Sequence, residues 1–180
     1  MPRHIAFLRA VNVGGRTVKM DALRERFEAL GLTNVETFIA SGNVLFETRA
    51  KAAAKLQQQI EADLASAFGF EIDTFLRGAE ELIAIAKHPA FPAARIAAAP
   101  TYCVGFLAAP LGAEALRGLQ QFESAIDAFH VNGREVYWLC EKKQSESAFT
   151  NAAMEKALKV RATFRNINTV RKLADKVAPG

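Results

Sequence analysis

Apolar residues recur along this chain at two spacings, and the alternation of those spacings predicts the order of its strands and helices. In the clearest helical stretch, Met20, Leu23, Phe27 and Leu30 follow one another at three- and four-residue steps, and Gly31 supplies a stop signal. Short apolar runs between such stretches predict strands. The elements predicted for the first half are a strand at His4–Val11, a helix from Met20 to Gly31, strands at Val35–Ala40 and Val44–Thr48, a helix at Ala50–Phe68 and a strand at Glu71–Arg77.

The second half repeats this order of elements. An Asn132-Gly133 pair between two apolar runs is a strong signal for a two-residue hairpin turn. A helix containing Leu82 follows the first half, and a helix containing Val170 and Leu173 closes the second. The elements predicted between those two helices are a strand at Thr101–Leu107, a helix near Ala113–Gln121, strands at Ala125–Val131 and Glu135–Cys140, a helix at Phe149–Leu158 and a short strand around Ala162–Phe164.

Each half therefore has the order βαββαβ followed by one more helix. This is the order of the ferredoxin-like plait, an antiparallel sheet covered by two helices, so the sequence predicts an α+β fold of two tandem plait subdomains, each with a trailing helix. Three of the six prolines fall between Pro89 and Pro100, which favours a boundary there. We expect subdomains at residues 1–90 and 101–180, joined by a Pro/Ala-rich linker at 91–100.

The net charge of +4 is unevenly distributed along the 180 residues. Residues 1–19 hold four basic side chains and no acidic one, and residues 142–177 hold nine basic side chains against three acidic ones. The middle of the chain is therefore acidic. Basic segments of this kind are often solvated surface, and the alternative is a site for an anionic ligand.

The common catalytic motifs are missing from the sequence. It has no P-loop, no GxGxxG, no GxSxG elbow and no HExxH helix. The histidines, His4, His88 and His130, are scattered, and Cys103 and Cys140 lack CxxC spacing, so we expect no metal site, no cofactor and two buried free thiols. No apolar stretch is long enough for a membrane span and the start does not resemble a signal peptide, which predicts a soluble, cytoplasmic protein.

Three polar clusters lie in or beside predicted loops. The first follows the first strand, where glycines let the backbone approach a ligand and a helix N-terminus favours anions; a tight turn between strand and helix is the simpler interpretation. Its members are Arg9, Asn12, Gly14, Gly15 and Lys19. The second cluster, Ser41-Gly42-Asn43, is most simply a tight hairpin turn between antiparallel strands.

The third cluster precedes the last helix. One of its side chains is expected to cap that helix, but capping alone does not require an arginine. Its members are Arg165, Asn166, Asn168 and Thr169.

The polar clusters coincide with a set of short motifs that is quite specific as a whole. The motifs are Leu8-Arg9-Ala10-Val11-Asn12-Val13-Gly14-Gly15, Val18-Lys19-Met20, Leu23-Arg24, Leu30-Gly31, Ser41-Gly42-Asn43-Val44, Arg165-Asn166, Asn168-Thr169 and Lys172-Leu173. With them the chain resembles the bacterial domain-of-unknown-function family numbered 1697 over essentially its whole length. The resemblance implies two plait-like subdomains and supplies no activity. The chain departs from the family pattern at Ala10, where glycine is frequent, and at Ile167, where an aromatic residue is frequent.

Three function classes stay open at this point. The first is binding of a small phosphate- or carboxylate-bearing ligand in a cleft formed by the Asn12–Lys19 loop and the Thr163–Thr169 segment, with Arg9, Lys19 and Arg165 as charge partners. The second is a nucleic-acid surface, which the lack of an aromatic-rich basic strand motif disfavours. The third is a regulatory or interaction domain without a small ligand. The sequence does not indicate whether the protein catalyses a reaction or whether the chain forms homo-oligomers.

Overall fold

The computed structural model describes residues 2–9, 17–39 and 42–179, and its elements follow the predicted order. The first half contains β1 (Arg3–Leu8), α1 (Met20–Ala29), β2 (Thr33–Thr37), β3 (Asn43–Glu47), α2 (Ala53–Phe68), β4 (Thr74–Gly78) and α3 (Ala79–Lys87). The second half contains α4 (Ala93–Ala98), β5 (Thr101–Leu107), α5 (Ala113–Gln120), β6 (Asp127–Asn132), β7 (Glu135–Cys140), a 3₁₀ turn (Gln144–Glu146), α6 (Asn151–Leu158), β8 (Ala162–Asn166) and α7 (Ile167–Val177).

The strands form two four-stranded antiparallel sheets with matching order. The first sheet has the order β2-β3-β1-β4 and the second has the order β6-β7-β5-β8. β1 pairs with β3 on one side and β4 on the other, and β5 pairs in the same way with β7 and β8. The prediction of an α+β fold with two plait-like subdomains is confirmed at this level.

The central strand of the first sheet is buried on both faces. Side chains alternate between the faces of a strand, so Ala6 and Leu8 point one way and Ile5 and Phe7 the other, and all four have no exposed surface. The Ala6 side belongs to a core formed with α1 and α2, which contribute residues such as Phe27. Burial on both faces explains why this stretch is a continuous apolar run without alternation.

The second sheet has its own core on the face covered by α5 and α6. Trp138 on β7 packs there with Phe149 at a ring distance of 4.8 Å, and Met154 of α6 and Leu119 of α5 belong to the same cluster. On the opposite face Tyr137 is fully buried, and its hydroxyl donates to the carbonyl of Ile85 at 2.9 Å. The end of α3 is thereby fixed to the second sheet.

The chain divides into two compact units. One consists of Met1–Ile83 with Leu173–Gly180 and the other of Ala84–Lys172. We call them the first and second unit. The last residues of the chain belong to the first unit, where Lys176 Nζ lies 2.5 Å from Glu36 Oε1 and 5.2 Å from the centroid of the Phe38 ring. The domain boundaries expected from the proline-rich segment remain a prediction.

Several element boundaries differ from the predicted ones. The segment predicted as a linker contains the short helix α4. β2 begins at Thr33 because that residue already pairs with Glu47, and the register with β3 then shifts between Thr33 and Glu36. β8 continues to Asn166 because that residue still pairs with Cys103 of β5. The predicted antiparallel β2–β3 pair is present, but Asn43 is the first residue of β3 and not a turn residue.

A buried carboxylate joins three segments of the second unit. Asp127 at the start of β6 accepts hydrogen bonds from Trp138 Nε1 at 2.9 Å, Ser147 Oγ at 2.8 Å and Ser124 Oγ at 2.9 Å. Burial acts to raise the pKa of Asp127, but these hydrogen bonds outweigh it and the pKa lies below its usual value. The charged form is therefore favoured in the folded protein.

We expect Asp127→Ala to lower the free energy of unfolding by about 1–3 kcal/mol, because buried donors lose their acceptor. Urea unfolding measures this loss. Asp175→Ala, which removes an exposed carboxylate from α7, is the control and should change stability little. The contribution of Asp127 should persist above its unfolded pKa of about 3.9 and disappear as pH falls through the lower folded pKa. A wild-type advantage that grew on acidification would contradict this assignment.

A close backbone approach in the second unit gives another stability prediction. A Cβ at Gly105 of β5 would lie 2.6 Å from the Phe164 ring, whereas a Cβ at Gly78 of β4 would meet nothing within 4 Å. Gly105→Ala should therefore destabilise the protein by about 1–3 kcal/mol through overpacking, and Gly78→Ala should not. Thermal unfolding of both variants tests the pair. Equal melting temperatures would show that Phe164 yields without cost.

Candidate functional site

The register of the first sheet brings Arg9 of the first polar cluster and Gly42 and Asn43 of the second to one end. Leu8 N donates to Gly42 O at 2.8 Å, and Phe7 pairs with Asn43 across β1 and β3. Arg9 N donates to Asp73 O at 2.9 Å, just before β4 begins. We call this edge of the first sheet the Arg9 end. Asn12, Gly14, Gly15 and Ser41 lie outside the described residues.

Two cations belong to the Arg9 end. The Arg9 guanidinium Nη1 lies 3.7 Å from Asp73 Oδ2, and its side chain is 32% exposed, so it reaches solvent. Lys19 is exposed and stands at the N-cap of α1, where its side chain makes no capping hydrogen bond. The C-terminal end of α1 connects through a short turn to β2, which begins at the opposite end of the sheet, where Thr33 pairs with Glu47. The N-terminal end of α1 is therefore directed toward the Arg9 end.

Asn43, a predicted ligand residue, has a structural role at this end. Its side chain is fully buried, and Nδ2 donates to Phe38 O at 2.9 Å. Phe38 N donates in turn to Asn43 O at 2.9 Å. The side chain therefore holds the connection between β2 and β3.

Arg165, from the third cluster, is buried within the second unit. Only 7% of the residue is exposed, and Nη1 donates to Thr163 Oγ1 at 2.6 Å and to Phe164 O at 3.0 Å. Burial lowers the pKa of Arg165 to about 10, so the side chain stays charged near neutral pH. Asn166 Oδ1 accepts from Asn168 N at 2.8 Å and so supplies the predicted cap of α7. Thr169 is half-buried in the first turn of that helix.

The buried Arg165 has a counterpart in the first unit. Arg77 is the fourth residue of β4, as Arg165 is of β8, and 1% of it is exposed. Its Nη1 donates to the carbonyl of the preceding residue, Leu76, at 2.9 Å. The repeat of the two halves thus extends to a buried arginine, which element order alone did not reveal.

A pocket of about 730 Å³ lies at the opposite end of the first sheet, within the first unit. Arg3 and His4 line it, and Arg3 Nη1 donates to Lys176 O at 2.5 Å. Arg3 Nε and His4 Nδ1 are buried and have no hydrogen-bond partner among the residues that the structure describes. Glu47, Glu80 and Glu81 also line the pocket, so its charge is mixed and favours no single class of ligand. No local pattern in the sequence predicted this pocket.

Two of the three histidines meet in the second unit. His88 Nε2 lies 2.9 Å from His130 Nε2, although the residues are 42 positions apart. Burial lowers the pKa of His130, and the nearby His88 adds to this effect. The spacing of the histidines in the sequence did not predict this contact. The residues described by the structure contain no group of three or more His, Cys, Asp or Glu that could hold a metal ion.

The two cysteines are buried free thiols, as predicted. Burial raises the pKa of Cys103 to about 11, so its thiolate is scarce at neutral pH and the residue is unreactive. Among the described helices none has the length and apolar character needed to cross a membrane.

Comparison with known proteins identifies the family. The model of a family described as protein of unknown function, DUF1697, matches residues 1–137. No curated protein matches the chain. The solved structure of the conserved bacterial protein SP0830 from Streptococcus pneumoniae is similar, with a TM-score of 0.80, 23% identity, and coverage of 98% of this chain and 99% of that one. At this identity the likeness concerns the fold. The chain belongs to the DUF1697 family.

Proposed function

We propose that this protein binds a small anionic ligand at the Arg9 end of the first sheet. The observation that carries the proposal is the hydrogen bond from Leu8 N to Gly42 O, since it holds the end of β1, and with it Arg9, beside Gly42. A site built there has a partly exposed guanidinium, an exposed ammonium from Lys19 and the first N–H groups of α1, which have no acceptor within the helix. All three favour negative charge.

The second unit provides an internal comparison that supports a role beyond the turn. Its equivalent connection from β5 to α5 consists of residues 108–112, with the sequence Ala-Ala-Pro-Leu-Gly, and contains no charged residue. A strand-to-helix connection in this fold therefore does not require an arginine or a lysine. The cations of the first unit are better explained by a ligand than by the turn itself.

The chemistry of these donors defines the ligand class. A guanidinium offers a planar fork of N–H groups that matches a carboxylate or phosphate, and an ammonium adds a point charge. Asp73, 3.7 Å from Arg9, orients the guanidinium and reduces the net positive charge. A monoanionic or dianionic small molecule suits this balance better than a polyanion does.

The ligand contribution of Arg165, Asn166, Asn168 and Thr169 stays a prediction. Arg165 is held by bonds within β8 and Asn166 caps α7, so structural roles already account for these two side chains. The Arg9 end is the stronger part of the proposal.

A thermal-shift panel tests the proposal. The probes are inorganic phosphate, a nucleoside monophosphate, a sugar phosphate, a fatty-acid carboxylate and a single-stranded RNA, because a ligand at about 100 times its dissociation constant adds about 2.7 kcal/mol of stability. Arg9→Ala should weaken binding of the active probe by about 1.5–3 kcal/mol, roughly 10- to 150-fold, through loss of a charge-assisted hydrogen bond. Lys19→Ala should weaken it less.

Two matched variants are the controls for that experiment. Arg49→Ala and Lys55→Ala remove exposed cations just after β3 and at the start of α2, which both lie at the opposite end of the first sheet. They should leave affinity unchanged. Equal losses in all four variants would indicate nonspecific charge attraction. Tight RNA binding at about 150 mM salt would favour the nucleic-acid function instead.

Arg165 gives a separate prediction about stability. Arg165→Ala should lower the unfolding free energy by about 1–3 kcal/mol because Thr163 and Phe164 lose a buried donor. The exposed Arg171 on α7 provides the control, and Arg171→Ala should be nearly neutral. Chemical denaturation measures both. If Arg165→Ala is as stable as the wild type yet fails to bind the active probe, Arg165 is a ligand residue.

A further inference from the structure

Two imidazole nitrogens face each other in the second unit. His88 follows the last residue of α3, and His130 lies on β6. Their Nε2 atoms are 2.9 Å apart, and both residues are half-buried. The Tyr137 ring lies 5.4 Å from the His88 ring and 6.0 Å from the His130 ring, so it forms an apolar wall beneath the pair. The open side is marked by the exposed Asn132.

We propose that His88 and His130 form a bidentate site for a first-row divalent transition-metal ion. A metal about 2.0–2.1 Å from each imidazole nitrogen, with a right angle between the bonds, places those nitrogens about 2.9 Å apart. A tetrahedral angle would require about 3.3 Å. In the metal-free protein this separation is that of an N–H···N hydrogen bond, and it also matches the distance between two adjacent imidazole ligands, so small turns of the two rings bring both lone pairs to one ion.

The surroundings of His88 support this role. The Asn132 amide nitrogen lies 3.5 Å from His88 Nδ1, and the amide can turn its oxygen toward that ring nitrogen, because nitrogen and oxygen of an amide are assigned from the hydrogen-bond network. An acceptor at Nδ1 keeps the proton there and leaves the Nε2 lone pair for a metal. Water completes the coordination on the solvent side.

Without a metal the same two nitrogens share a proton. The ring centroids are 5.0 Å apart, so the rings meet nearly head to head, as hydrogen-bonded imidazoles do. A bound metal replaces that N–H···N bond: the His130 proton moves from Nε2 to Nδ1, and both rings turn toward the ion. The site thus links the end of α3 to β6 in either state.

Titration with Ni²⁺ followed by calorimetry tests the site. The third histidine is replaced in every sample by His4→Asn, so that its imidazole does not compete. We expect one ion per chain, and His88→Ala or His130→Ala should each weaken binding about tenfold or more, because a single imidazole loses the chelate. Asn132→Ala should weaken it less.

Paramagnetic broadening of the histidine ring signals in the wild-type chain gives a second readout that needs no variant. Substoichiometric Cu²⁺ should broaden the His88 and His130 signals together. Broadening of one ring alone would overturn the proposal. So would a Ni²⁺ affinity of His88→Ala or His130→Ala equal to that of the chain with both histidines, and the two residues would then be only a hydrogen-bonded pair. Circular dichroism establishes that each variant is folded. If a variant does not fold, the broadening experiment on the wild-type chain decides whether the site exists.

Discussion

Antiparallel hydrogen bonding on both sides of β1 decides at which end of the first sheet Arg3 and Arg9 lie. β1 pairs with β3 and β4 at once, and both of its faces are buried. A slip of one residue would turn Ile5 and Phe7 to the faces now occupied by Ala6 and Leu8, so the register is strongly specified. Arg3 is thereby fixed at one end of the sheet and Arg9 at the other. The pocket and the Arg9 end are consequences of this one register.

The same constraint acts in the second unit, and the buried arginines show how far the two halves agree. A guanidinium that leaves water needs hydrogen bonds to compensate. Arg77 and Arg165 each donate to the carbonyl of the residue before them, at equivalent positions of β4 and β8. The halves diverge in the connection that follows the central strand, polar in the first and apolar in the second. The features that both halves share therefore stabilise the fold. The connection between β1 and α1, which differs from its counterpart between β5 and α5, is where we expect a functional role.

The sequence predicted those elements whose boundaries depend on local signals. β5 and β7 were predicted with their observed ends because each is a continuous apolar run next to strong turn residues. α4 was missed because six residues beside prolines carry no helical period. The burial of Arg165 was unexpected because arginine is almost never buried unless paired. The contact between His88 and His130 depends on α3 ending beside β6, which no local pattern encodes.

Charge along the sequence overstated the number of cations available to a ligand. The two basic ends were counted as one kind of feature, yet several of their members serve the fold. Arg3 donates to Lys176 O, Lys176 pairs with Glu36, and Arg165 is buried in its own strand. Exposure, which a sequence does not display, distinguishes Arg9 and Lys19: Lys19 is exposed, and Arg9 keeps 32% of its side chain exposed although it pairs with Asp73. The anionic ligand that we propose for the first unit would therefore depend on a local pair of cations, and the net charge of the chain is a poor guide to its affinity.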